Sequence, residues 1–138
     1  MLTLEHAQKI VAAALAASRE KGLKPMGIVV LDARGALRAA AVEDGASLER
    51  WRVAYGKARG AISLGVSSRM IEKMAQDRPY FIGALGSVLT EGIVPVPGGV
   101  LIRDPAGAVI GAAGASGDTS DNDEAALLTA LGAAGLAS

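Results

Sequence analysis

"MGIVVLDARGALRAAAV", residues 26–42, decides the fold of this chain. The run from Met26 to Asp32 is too short and too rich in β-branched side chains for a helix, and it reads as a central strand. "DARG" then turns the chain back, and "ALRAAAV" (36–42) is the returning strand of a β-hairpin. The device recurs at 100–116. "VLIRD" is a strand, "DPAG" puts Asp, Pro and Gly where a type I turn wants them, and "AVIGAAGAS" comes back. Two hairpins make the sheet largely antiparallel, which is an α+β fold and not a doubly wound one.

Helices fill the rest. Thr3 caps a first one, with Leu2 and Ala7 spaced as a hydrophobic staple. Leu4, Ala7, Val11, Ala14, Leu15 and Ser18 share one face, and Gly22 ends it. Ser47 is placed to cap a second helix, whose buried stripe is Trp51, Ala54, Tyr55, Ala58, Ala61 and Ile62, stopped by Gly65. Ser67 or Ser68 starts a short helix through Gln76, and Pro79 opens another to about Leu85. "EGIVPVPGG" (91–99) holds too many prolines and glycines for regular structure, so it reads as an extended segment with a tight bend. Asp121 and Glu124 have capping-box spacing for a last helix over "EAALLTALGAAGL". The order is α-β-β-α-α-α-β-β-α in one domain spanning residues 1–138, without a linker or repeat.

At this length the domain buries roughly two-thirds of its unfolded surface. Apolar residues make up 51%, but the only aromatics are one Trp, two Tyr and one Phe, so the core is built from small side chains. Such a core is marginal alone, which favours a homo-oligomer. With 14 basic and 14 acidic residues, the balance gives no reason to expect nucleic acid or a membrane surface as partner. No apolar run reaches the ~20 residues of a membrane span, and the N-terminus is a poor signal peptide, so the expected location is cytoplasmic. The absence of Cys excludes disulfides, iron–sulfur clusters and thiolate zinc sites.

Chemistry could gather at "GAAGASGDTSDNDEAALL" (111–128). Gly111, Gly114 and Gly117 lack the dinucleotide spacing, no Lys follows as in a phosphate loop, and "GASG" is not a nucleophile elbow. Asp118, Asp121, Asp123 and Glu124 could ligate a hard cation, or cap a helix and complement its dipole. No metal pattern emerges, and none is assigned. Gly111 and Gly114 bare opposite strand faces, for helix packing or for a flat ligand. "VPVPGG" offers a stiff, apolar wall with free amides at Gly98 and Gly99. Lys57 is either a snorkelling surface residue or an anion anchor, and Arg38 is a second candidate anchor. The expected ligand-binding set is therefore Arg38, Lys57, Pro97, Gly98, Gly99, Ser116, Gly117 and Asp118, around one cavity shared by "PGG" and "SGD".

"GIVVLDARGALRAAAVEDGAS", "KARGAISLG" and "VPVPGGVLIRDPAGAVIGAAGASGDTSDNDEAAL" together resemble the GlcG/HbpS family over nearly the whole chain. The resemblance implies a layered domain with a five-stranded antiparallel sheet, homo-oligomers with pockets at subunit contacts, and in some members haem or related corrinoids as ligand. Two departures stand out. His6 is the only histidine, so one chain cannot supply two axial imidazoles, and Glu43 precedes "DGA" where many members carry Arg. The expected function is binding of a small molecule, haem or a related tetrapyrrole, in an oligomer pocket. The alternative is an enzyme on a small organic acid. There Asp118 or Asp123 would be the base, Ser116 and the Gly117 amide would hold an oxyanion, and Lys57 or Arg38 would anchor a carboxylate.

Overall fold

The computed structural model describes residues 1–138. It runs α1 (Leu4–Glu20), β1 (Gly27–Asp32), β2 (Leu37–Val42), α2 (Arg50–Leu64), α3 (Ser68–Asp77), α4 (Pro79–Val88), β3 (Gly99–Arg103), β4 (Val109–Ser116) and α5 (Ser120–Ala133). The strands form one antiparallel sheet in the order β2-β1-β4-β3. Both hairpins are present. The fifth strand implied by the family resemblance is not, and the C-terminal segment adds only a bridge, Ala137 to Arg103 beside β3.

The sheet divides two helical layers. On one face α1 and α5 cover Ile28, Val30, Ala113 and Ala115, together with Ile10, Ala14, Leu127 and Leu131. On the other, α2 lies across Val29, Leu31 and Ala112 through Ala54 and Ala58. β1 is buried along its whole length because it is a central strand with helices on both faces. Small residues set the layer spacing. A Cβ on Gly114 would run into the Ala54 carbonyl, so that glycine lets α2 lie directly on the sheet. A Cβ on Gly111, on the opposite face, would meet Leu2 at 3.1 Å. Helix packing takes the space at Gly114, while at Gly111 the Leu31 carbonyl of β1 and the Leu2 side chain take it.

Three local expectations change. The buried stripe of α2 is narrower than its periodicity suggests: Ala54, Ala58 and Ala61 are fully buried, whereas Trp51 is 36% exposed. Trp51 packs instead against its own helix neighbours, with the Arg52 guanidinium 4.8 Å over its ring and Tyr55 edge-on. Ser47 does not cap α2, which starts from Glu49 without a side-chain cap. Thr119, not Asp121, caps α5, accepting from the Asn122 amide. Thr3, Ser67 and Pro79 begin their helices as their residue types require.

Candidate functional site

Register brings the two glycine-rich segments together. Gly99 sits opposite Gly114 in the β3–β4 ladder, and the Ala115 amide donates to the Gly98 carbonyl at 2.8 Å. They do not enclose an open cavity, because Lys57 fills the space. Its side chain is 2% exposed, and its Nζ donates to the Ala115 carbonyl at 3.0 Å and to Asp123 Oδ2 at 3.2 Å. Asp123, 1% exposed, accepts the Asp118 amide on Oδ1 at 2.9 Å. Lys57 is thus neither a snorkelling surface lysine nor an open anchor.

Gly98 makes room for the Lys57 side chain, and Gly99 and Gly117 make room for backbone. Gly98 has φ +120°, and a Cβ there would stand 2.7 Å from Lys57 Nζ. A Cβ on Gly99 would strike the Lys57 carbonyl, and one on Gly117 the Pro25 carbonyl. Ser68 clamps the same strand start, its Oγ accepting from the Gly99 amide at 2.7 Å and donating to the Gly99 carbonyl at 3.2 Å. Pro97 is buried alongside. Buried Ser116 accepts from Arg50 at 3.1 Å on its Oγ. Desolvation pulls the Lys57 ammonium below the ordinary lysine range, against the opposing attraction of the Asp123 carboxylate.

Asp118 is bound from three sides. The Lys24 amide donates to Oδ2 at 2.9 Å, while Asn122 Nδ2 at 2.8 Å and the Thr119 amide at 2.9 Å donate to Oδ1. These donors, the Lys24 amide foremost, hold its carboxyl at about 2. So weak a base is poorly matched to proton abstraction near neutral pH. Asp121 and Glu124 are occupied by Arg69 across the surface. No three of the His, Asp and Glu side chains converge as a metal site would need.

Arg38 lies elsewhere. It sits at the start of β2, near Asp32, at the sheet end opposite Ser116, so the expected set is not one constellation. A cleft of about 440 Å³ opens there between Met1, Leu2, Ile110, Asp32, Arg34 and Arg38. A groove of about 320 Å³ runs on from Arg38 between α1 and β2, past Leu4, Val11, Leu15 and Ala39. Burial alone would raise the Asp32 carboxyl, but the amides of Ala36 and Arg34, with the Arg34 side chain, hold it below the usual carboxylate range. The floor of the cleft is therefore one anion against two guanidiniums.

The model of the family described as haem degrading protein HbpS-like matches residues 2–132. The chain belongs to the HbpS-like family. Among solved structures, it superposes on protein ORFY of Klebsiella pneumoniae with TM-score 0.85 and 26% identity, over 96% of this chain and 89% of that one. HbpS itself gives TM-score 0.82 at 24% identity, over 96% and 89%. A haem complex of PduOC gives TM-score 0.82 at 23% identity, over 96% and 94%. None of the curated proteins matches the chain in sequence.

Glu43, the departure from the family's Arg, supports the strand start: it accepts the Met26 amide at 2.8 Å and pairs with Arg19 at 2.8 Å. His6 lies in the first turn of α1 with its Nδ1 buried and unpartnered, and lines neither the cleft nor the groove. Ser68, Arg50 and the pairing of Asp123 with Lys57 were not legible in the sequence. Each joins positions at least 31 residues apart, and no local spacing signals such contacts.

Proposed function

We propose that this member of the HbpS-like family binds a flat, apolar-bodied, anionic small molecule, haem or a related tetrapyrrole, as a cytoplasmic homo-oligomer. The observation that carries the reading is the cleft and groove meeting at Arg38, whose aliphatic walls suit the plate of such a ligand and whose guanidinium suits its carboxylates. The family description and the haem complex of PduOC support the ligand class. Both hollows are shallow beside a macrocycle, and a second chain would complete the enclosure. Haem, when bound, brings its own iron chemistry. This chain's part is to cover the plate with Leu2, Leu4, Val11 and Ile110 and to hold carboxylates at Arg38 and Arg34. His6 receives no axial role.

In this reading Lys57, Pro97, Gly98, Gly99, Ser116, Gly117 and Asp118 form the framework rather than the contact surface. Low basicity at Asp118 and the Lys57 pairing of Asp123 give the acid/base alternative no support.

The test is a haem titration followed by Soret absorbance, with native mass spectrometry of the same samples. Wild type should show a saturable shift, and Arg38→Ala should weaken it about tenfold or more, as loss of a charge-assisted hydrogen bond does. His6→Ala should leave it unchanged. No saturable shift in wild type rejects haem, and an unaltered Arg38→Ala titration rejects the placement.

A further inference from the structure

The two edges of the sheet are treated differently. At β3 the C-terminal segment pairs with the end of the open side, the Arg103 amide donating to Ala137 at 2.7 Å and the Ala137 amide returning to Arg103 at 3.2 Å. At β2 nothing is paired. The ladder fixes which groups are left over. The Glu43 amide donates to the Met26 carbonyl, so in this register Ile28↔Ala41 and Val30↔Ala39 are the hydrogen-bonded pairs. Ala40 and Val42 then point their amides and carbonyls away from the sheet. Natural edges are usually guarded by Lys, Pro or a bulge. Residues 39–42 read Ala-Ala-Ala-Val, and the one irregularity lies beyond them, opposite Val30 and Leu31.

The surface beside this edge is apolar as well. Leu37, 54% exposed, lines a hollow with Trp51, and Val42 is 52% exposed. Charge adds direction. Arg38, 3.7 Å from Asp32, stands near the start of the strand, and exposed Asp44, which forms no salt bridge within the chain, follows its end. An antiparallel copy would set each Arg38 near the other chain's Asp44, whereas a parallel copy would set like against like.

We propose that β2 pairs antiparallel with β2 of a second copy of this chain, making one continuous eight-stranded sheet. The twofold axis passes at Ala41. Ala40 then faces Val42 of the other chain, and these outward groups make four backbone hydrogen bonds, two for each of the two symmetry-related pairs. Leu37, Val42 and Trp51 lose their exposure in the same step. The contact runs along the groove holding Arg38 and Ala39, so it gives the proposed ligand site a second wall. It rests on that reading only for this use, and it is tested without haem.

Sedimentation of the purified full chain should give a dimer or an even multiple. Ala40→Lys should halve that mass, with the circular dichroism spectrum retained. Ala40→Pro should do the same, since its lost amide is not in the β1–β2 ladder. Because the chain has no Cys, Ala41→Cys gives a single thiol. Facing Cα atoms at such a non-hydrogen-bonded pair lie about 4.5 Å apart, within disulfide range. Mild oxidation should link Ala41→Cys into covalent dimers much faster than Ala84→Cys on the exposed side of α4, away from β2. A monomeric wild type, an unchanged mass in both Ala40 variants, or equal crosslinking at positions 41 and 84 overturns the proposal. Loss of haem binding with the dimer intact would count against the ligand reading alone.

Discussion

Replacing Lys57 by Met should destabilise the domain by about 3–5 kcal/mol, the range for removing one partner of a buried ion pair. The size follows from what the structure leaves behind. Asp123 Oδ2 loses its 3.2 Å partner while the group stays 1% exposed, and only the Asp118 amide still serves its carboxylate. Asp123→Asn leaves the converse problem, an ammonium held by the Ala115 carbonyl alone. The double variant Lys57→Met/Asp123→Asn removes both charges, so it should cost about 2 kcal/mol or more less than the sum of the singles. Urea unfolding read by circular dichroism and by fluorescence of Trp51, the one tryptophan, gives the three energies. As a comparison, Lys9 pairs with Glu5 at 3.5 Å in solvent, and Lys9→Met should cost less than about 1 kcal/mol. If Lys57→Met costs no more than Lys9→Met, or if the two singles simply add, the pair does not hold the β3–β4 junction and the reasoning fails.

Gly114→Ala should be more damaging than a glycine-to-alanine change on an open surface, costing roughly 1–3 kcal/mol through displacement of α2, whose Ala54 carbonyl occupies the space; calorimetry against Gly132→Ala, which meets nothing, checks it. Ser68→Ala removes a buried hydroxyl bonded to both the amide and the carbonyl of Gly99, and should cost about 1–3 kcal/mol in the same denaturation assay. Asp118, held at about 2 against an ordinary 3.8, contributes stability that is present above 3.8 and lost as pH falls through 2; Asp118→Asn should flatten stability over that acid window and leave its slope near neutral pH unchanged.

Much of the fold was legible because its signals are local. Met26–Val42 and Val100–Ser116 carry strand composition on both sides of obvious turn residues, and both hairpins follow. Competition between neighbours obscured the caps. In "SGDTSDND" several side chains could start α5. Asp118 is drawn to the Lys24 amide, a contact across 94 residues, which leaves Thr119 as the cap. Lys57 misled for a different reason. Its helix is amphipathic by alanine, and a lysine beside Ala58 gives no sign that a carboxylate 66 residues away will meet it. Of the residues expected at the site, Arg38 borders an open cleft, while the glycines that seemed to free space for a ligand had freed it for backbone and for one lysine.

That last point redirects where recognition can occur. A small-residue sheet gains close helix packing, and with Ala54 and Lys57 pressed against Gly114 and Gly98 its glycine-lined face has no volume left to offer. Opening it would mean breaking a buried ion pair and moving α2 off the sheet, both costly in a domain whose total stability is typically about 5–15 kcal/mol. The flank of β2 carries no such cost. Its side chains are short, its outer backbone groups are free, and Arg38 stands where the groove and cleft meet. A second chain arriving there meets free backbone groups, and a ligand carboxylate competes only with Asp32 for the guanidiniums of Arg34 and Arg38. In the proposed reading, the same choice of small residues that closes the interior leaves the rim for binding, and a second copy seated on that rim would meet the ligand without disturbing the Lys57–Asp123 pair.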